Sequence, residues 1–173
     1  ACAPQEGLRG TCQATLERAI VKSVEQAFAA SSEVHGEAFR RVDIALGSPI
    51  NTELSTKERL DAVRAGALDT GIEELAYQYA RYMTICSSRA GTQPPNLQGI
   101  WASGLKCAWN GDYHININLQ MNYWGVQTGN LADFHGPFFD LFEGMLPSGK
   151  RLAREMFDCR GFFASVATDP YMQ

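Results

Sequence analysis

The sequence predicts a mainly α protein with a short extended segment near residues 112–118. Apolar residues recur at helical spacing along most of the chain, which is typical of amphipathic helices. Ser/Thr-x-x-Glu pairs stand where such helices would begin. One stretch differs, because residues 112–123 within WNGDYHININLQMNYW (residues 109–124) alternate polar and apolar residues without a break. Alternation of this kind is typical of an extended chain.

Residues 13–30 predict the first helix. Their apolar residues follow at every fourth position and form one stripe, with Leu16, Ile20, Val24 and Phe28. HGEAFRRVDIALG then predicts a short helix that runs into an extended piece ending at Gly47, and a loop with Pro49 follows.

Two capping boxes predict the next helix starts. Ser55 pairs with Glu58, and Thr70 pairs with Glu73, at the spacing at which each side chain satisfies the other residue's backbone N–H. The second of these helices is long, since apolar residues keep to one face from residue 72 to residue 86.

A loop rich in Gly, Pro, Asn and Ser follows, SSRAGTQPPNLQGIWASGLKCAWNGD at residues 87–112. Loops of this length within a compact domain are either functional or disordered, and two tryptophans argue against disorder. We interpret it as a loop that builds a binding site. Beyond it, Pro137 predicts a helix start, Pro147 predicts the end of that helix, and Ser148 predicts the cap of another helix that ends before Gly161.

The bulk properties exclude several function classes. The net charge is −4 and the basic residues are scattered, which argues against a nucleic-acid partner. No apolar run is long enough to span a membrane. The five cysteines form no C-x-x-C pair and leave the redox compartment open, and we expect no structural metal and no cofactor. The chain begins without methionine or a signal-peptide pattern, so we expect that it was processed or cut from something longer.

The alternating stretch carries the candidate chemistry. If residues 112–118 are extended, their even-numbered side chains share one face: Asp112, His114, Asn116 and Asn118. Burying unpaired amides costs about 1–3 kcal/mol each, so this face must meet water, a polar ligand or other side chains. A cavity that binds hydroxyl groups would satisfy it. The alternative is that the amides satisfy loop and helix ends, with Asn118 capping a helix through Leu119 to Val126.

Long motifs resemble a known family. The chain resembles the α-L-fucosidases of glycoside hydrolase family 95 in three long motifs: SSRAGTQPPNLQGIW, WNGDYHININLQMNYW and TGNLADFHGPFFDLFEGMLPSGKRLAREMFDCRG. It also resembles the segments that precede these motifs in the family, in HGEAFRRVDIALG, STKERLDAVRAG and YQYARYMTICSSR. The resemblance covers residues 35–163. It implies a partial (α/α)6 barrel of the six-hairpin glycosidase type, with residues 1–70 as a helical linker region and residues 71–173 as the N-terminal part of the catalytic barrel.

The resemblance also implies an activity. The family hydrolyses terminal α-L-fucosides with inversion, and some members act on L-galactosides. The expected partner is therefore a fucosylated oligosaccharide or glycoconjugate, and the resemblance favours a secreted or extracytoplasmic location. Asn116 and Asn118 match the Asn-x-Asn pair that holds the attacking water, one amide acting as the base under the influence of a distant aspartate. His114 matches a position that contacts the sugar.

The resemblance is incomplete towards the C-terminus. In the family, the glutamate that protonates the leaving oxygen and the polarising aspartate lie far downstream of the Asn-x-Asn pair, so we expect neither within this chain. Many relatives carry HHNTD where this chain has SVATD at residues 165–169.

The remaining candidates have structural alternatives. Trp101 and Trp109 have two interpretations: each is either a surface on which a sugar stacks or a large residue at the edge of the core. Trp124 is expected in the core. Asp112 is a candidate acid, but a role in orienting His114 or capping the loop is the stronger interpretation. The cysteines and histidines show no nucleophile or metal spacing above chance.

We therefore carry two hypotheses. In the first, the chain is a portion of an inverting α-L-fucosidase, with Asn116 and Asn118 catalytic and His114, Trp101 and Trp109 binding the substrate. In the second, it is a non-catalytic helical fragment or carbohydrate-binding remnant that lacks the general acid.

Overall fold

The computed structural model describes residues 5–47 and 53–169. It confirms a mainly α fold, and the predicted loop around Pro49 lies outside the described residues. The α-helices are α1 (Gln5–Ile20), α2 (Val24–Phe39), α3 (Thr56–Arg64), α4 (Thr70–Ser87), α5 (Asn118–Tyr123) and α6 (Gly136–Phe157), and short 3-10 helices span Ala108–Gly111 and Ala132–His135. None of the helices in these two ranges is both long and apolar enough to cross a lipid bilayer.

The single helix predicted over residues 13–30 is wrong, because the chain breaks between α1 and α2. Ser23 caps α2 in a reciprocal box: its hydroxyl accepts from the N–H of Gln26, and the Gln26 side chain accepts from the N–H of Ser23. The apolar stripe, Val24 and Phe28 included, is exposed to solvent on both sides of this break.

The two other capping predictions have different outcomes. The box of Ser55 and Glu58 at the start of α3 is confirmed. The box at Thr70 is wrong, because Asp69 is the residue that precedes α4. The Asp69 carboxylate makes no cap hydrogen bond and instead accepts two hydrogen bonds, of 2.7 and 2.8 Å, from Arg59 of α3. This ion pair fastens α3 to the start of α4.

Helix α6 continues through Pro147, where the sequence predicted an end. Pro137 stands in the first turn, as predicted. Ser148 does not cap a new helix, and its hydroxyl donates to the carbonyl of Met145 at 3.1 Å. A proline inside a helix costs about 3 kcal/mol. We attribute its tolerance here to burial of one continuous face, which comprises Pro137, Leu141, Met145, Gly149 and Ala153.

The core lies where α5 and the turns after it meet α4 and α6. Leu119, Tyr123 and Val126 are buried at helical spacing. The Tyr123 hydroxyl lies 2.6 Å from the Ser88 hydroxyl, which donates to the carbonyl of Phe134 at 2.8 Å. Burial raises the pKa of Tyr123 to about 12, so the phenol stays neutral and keeps this chain of hydrogen bonds.

The described residues also contain a small antiparallel sheet of two strands, β1 (Tyr113–His114) and β2 (Ala167–Thr168). Tyr113 pairs with Thr168 and His114 pairs with Ala167. This sheet joins the end of the chain's long loop to a segment that follows α6, and it positions the residues of the candidate site.

Candidate functional site

The loop before β1 is held by hydrogen bonds at several points. The Asn96 and Gly99 backbones exchange two hydrogen bonds, and the Asn96 side chain accepts from the N–H of Gln98 at 2.7 Å. The buried Tyr113 hydroxyl donates to the carbonyl of Pro94 at 2.8 Å. The interpretation of this segment as an ordered loop agrees with these contacts.

The tip of the loop presents Trp109 in a strained backbone conformation. Trp109 and Asn110 have φ values of 54° and 57°, in the left-handed region that bulky residues rarely adopt. A residue held there costs about 1–3 kcal/mol. The indole is 74% exposed, and its ring meets the His114 imidazole edge to face, with centroids 5.7 Å apart. The structure thus brings together two of the predicted site residues.

The extended segment predicted over residues 112–118 is wrong beyond His114. The N–H of Ile115 still donates to the carbonyl of Val166 at 2.8 Å, and the chain then turns over residues 115–117. Helix α5 follows, and its first hydrogen bond runs from Met121 to the carbonyl of Ile117. The alternative of a helix after Asn118 is confirmed in part, although Ile117 rather than Asn118 is its N-cap residue.

The structure divides the side-chain amides of this stretch into two kinds. Gln120 donates to the carbonyl of Ile115 at 2.6 Å, and Asn122 donates to the carbonyl of Pro95 at 3.2 Å. Asn116 and Asn118 are exposed, and within residues 5–47 and 53–169 neither side chain has a hydrogen-bond partner. Among the described residues, the fold therefore uses the first pair of amides and leaves the second pair exposed to solvent.

Trp101 lies apart from Trp109, in a groove between α4 and α5 with a volume of about 570 Å³. Arg81, Met121 and Asn122 also line this groove. Gly99 makes room for the indole, because a Cβ atom there would come within 2.7 Å of it and the φ of +65° suits glycine. Asn118 precedes Met121 and Asn122, the two residues of α5 that line the groove, by one helical turn.

The other candidates are not assembled into a site. Asp112 acts through its backbone carbonyl, which accepts from the N–H of Leu97, and no hydrogen bond joins its carboxylate to His114 in the part of the chain that the structure describes. The core position predicted for Trp124 is wrong, because this indole is 64% exposed. Among the described residues, no three His, Cys, Asp or Glu side chains form a group that could hold a metal ion.

Sequence reasoning missed the contribution of residues 166–168. Strand β2 lies 53 positions after β1, and its two residues carry no strand pattern of their own. The sequence signal is weak and consists of two β-branched residues, Val166 and Thr168, of a type that strands favour. In the structure Thr168 is buried at 8% exposure opposite Tyr113. Pairing of distant short strands is not encoded in local periodicity.

Comparison with known proteins gives the family. The sequence profile described as the glycosyl hydrolase family 95 catalytic domain matches residues 23–173. The chain is 39% identical to alpha-L-fucosidase 2 of Arabidopsis thaliana over 136 residues, which are 76% of the chain and 16% of that relative. It is 43% identical over 90 residues to the probable alpha-fucosidase A of Aspergillus niger, covering 51% of the chain and 11% of the relative.

A third relative is similar. The probable alpha-fucosidase A of Aspergillus oryzae is 41% identical over 95 residues, which are 54% of the chain and 13% of the relative. The chain thus spans less than a fifth of the length of each of these relatives. Together with the mainly helical fold, the profile match shows part of an (α/α)6 barrel. The chain belongs to glycosyl hydrolase family 95, within its catalytic domain.

Proposed function

We propose that this chain is part of an α-L-fucosidase that hydrolyses terminal α-L-fucosides with inversion, and that Asn116 and Asn118 position the attacking water. The single observation that carries this proposal is the pair of exposed amides without hydrogen-bond partners among the described residues. They stand directly after His114, in a chain of this catalytic family whose relatives are named as fucosidases.

The amides suit the task of holding water. An amide oxygen accepts a hydrogen bond from water, and its NH2 group donates one, so two neighbouring amides define both the position and the orientation of a water molecule. A neutral amide is nevertheless a weak base, and most inverting glycosidases use a carboxylate for this step. A carboxylate that accepts from the amide NH2 group would increase the negative charge on the amide oxygen. We expect that aspartate, and the acid that protonates the leaving oxygen, downstream of the pair.

The aromatic residues suit the substrate. His114 is half-buried and carries the Trp109 indole against its ring, and among the described residues its ring nitrogens have no hydrogen-bond partner. We infer that His114 contacts a sugar hydroxyl and that Trp109 covers an apolar face of the substrate. We infer that Trp101, which lines the groove beside α5, contacts a part of the glycoconjugate further from the reacting carbon.

The test is hydrolysis of an aryl α-L-fucoside by the full-length natural protein and by its Asn118→Ala variant. We expect a loss of turnover of at least about a hundredfold, in the range found when a group that positions a proton transfer is removed. The control is Gln127→Ala, which removes an exposed amide whose partner is His135, after α5. Undiminished turnover by Asn118→Ala would contradict the proposal, as would nuclear magnetic resonance spectra that show α-L-fucose as the first product.

A second candidate is binding without catalysis by the 173-residue chain. The observation that favours it is the large apolar surface that the chain exposes, with Leu68, Tyr79, Trp124 and Phe139 more than half accessible. Such a surface is typical of a helical domain whose neighbouring helices are missing. Assay of the 173-residue chain with the same aryl fucoside separates the two candidates, because ready turnover would exclude the non-catalytic interpretation.

A further inference from the structure

The pairing of β1 with β2 determines which side chain stands beside His114. Because the N–H of Ile115 donates to the carbonyl of Val166, these two residues form a hydrogen-bonded pair of the antiparallel ladder. The next pair, His114 with Ala167, is therefore a non-hydrogen-bonded pair. In such pairs the Cα atoms lie about 4.5 Å apart and the side chains approach most closely. The methyl group of Ala167 is therefore the nearest neighbour of the imidazole across the sheet.

The burial of these residues shows which face of the sheet is open. Tyr113 and Thr168 form the neighbouring pair and are buried, at 4% and 8% exposure. Alternate residues of a strand point to opposite faces, so His114 and Ala167 share the face away from the core. Their exposure agrees, since His114 is half-buried and Ala167 is exposed.

The surroundings of the imidazole are therefore unequal. On one flank stands the bulky indole of Trp109, which the loop holds in its strained conformation. Across the sheet, the strand register sets the methyl group of Ala167 beside the imidazole. Ala167 is exposed, so its small side chain faces solvent on the face of the sheet that it shares with His114.

We propose that Ala167 is a specificity-determining residue of this site, whose small side chain leaves room beside His114 for a substituent of the sugar ring. The ligand is a neutral carbohydrate, since His114 and the two amides offer hydrogen bonds to hydroxyl groups. The inference rests on the proposed function, because it requires that the sugar contacts His114.

The test compares steady-state kinetics of the full-length natural protein and its Ala167→Leu variant with an aryl α-L-fucoside. The isobutyl group would fill the space beside His114, so we expect KM to rise at least about tenfold. We expect kcat to change less than threefold, because Asn116 and Asn118 are untouched. A merely structural role would lower the melting temperature and the amount of active enzyme without raising KM.

The matched control is Val166→Leu, one position earlier on the same strand. Val166 lies opposite Ile115, whose N–H donates to its carbonyl, so its side chain points to the other face of the sheet from Ala167. It is 58% exposed, and we expect KM to stay at the wild-type value. Should Ala167→Leu fail to fold, Ala167→Val gives a smaller obstruction with a residue that strands favour, and its KM should rise severalfold.

The outcomes separate this inference from the proposed function. An unchanged KM in Ala167→Leu, or an equal rise in Val166→Leu, overturns the role of Ala167. If Asn118→Ala is inactive in the same assay, the proposed function stands even then. If Asn118→Ala retains full turnover, the proposed function fails first, whatever the result at position 167.

Discussion

Replacement of Arg81 by methionine should destabilise the fold more than any change to a surface ion pair. Arg81 is 3% exposed and its guanidinium donates to three carbonyls near the end of α2, those of Ala38, Phe39 and Val42, at 2.8–3.2 Å. It also donates to Gln78 at 2.8 Å and to the carbonyl of Gly129 at 3.0 Å. One side chain thus joins α2, α4 and the turns that follow α5.

The expected loss follows from these contacts. A hydrogen bond from a charged donor contributes about 1.5–3 kcal/mol, and a buried carbonyl left without a partner costs about 1–3 kcal/mol. The contributions do not add in full, since the Ala38 carbonyl keeps a second donor, the N–H of Arg41, at 3.3 Å. We therefore expect Arg81→Met to lower the free energy of unfolding by about 3–5 kcal/mol. Methionine retains most of the apolar stem and the helix propensity.

The assay is urea unfolding followed by circular dichroism, with Arg41→Met as the matched control. Arg41 also reaches across the same interface, to Asp133 at 2.6 Å, but both side chains of this ion pair are partly or largely exposed. Exposed pairs contribute about 1 kcal/mol or less, so the control should lose far less stability. If Arg81→Met loses no more than Arg41→Met, the reasoning from buried carbonyls is refuted.

Three further changes have defined outcomes. Trp109→Gly should keep or raise the melting temperature, because glycine adopts a positive φ without strain. The KM for an aryl α-L-fucoside should rise, because the indole proposed to cover the substrate is removed. A fall in melting temperature would contradict the strain argument. Burial lowers the pKa of His135, so the folded state favours the neutral imidazole, and this contribution to stability is lost as the pH falls below the ordinary value of 6.5. The free energy of unfolding of His135→Phe should therefore fall less between about pH 7 and pH 5 than that of the wild type. Urea titrations at both pH values measure the difference. Gly149→Ala should lower the free energy of unfolding by about 1–3 kcal/mol, because its methyl group would enter the ring of Phe162, whereas Gly125→Ala, where nothing lies within 4 Å, serves as the control and should lose clearly less.

Local patterns predicted the features that depend on neighbours in sequence. The box at Ser55 needs only Glu58, and the start of α6 needs only Pro137, so both could be read from the chain. The long helix near residues 72–86 was also predicted, since α4 spans Thr70–Ser87. The end predicted at Pro147 was wrong because burial of a face contributed by distant residues outweighs the local cost of proline.

The candidate site shows the same division. Alternation over residues 112–118 predicted a polar face, but the apolar positions of this stretch also fit a helix, and packing of Leu119 and Tyr123 in the core favours the helix from Asn118 onward. The choice between the two-residue period of a strand and the 3.6-residue period of a helix depends on packing against α4 and α6, which lie outside this short stretch. The unequal roles of the amides could not be predicted either, because the partner of Asn122, the carbonyl of Pro95, is supplied by the loop.

The most direct test of the catalytic role of the amides is a crystal structure of the full-length protein with an unhydrolysable analogue of an α-L-fucoside. We expect an ordered water molecule at about 2.6–3.2 Å from a side-chain oxygen of Asn116 or Asn118, on the side of the anomeric carbon opposite the leaving group. Amides that instead donate to backbone carbonyls, with no water between them and the sugar, would contradict this account.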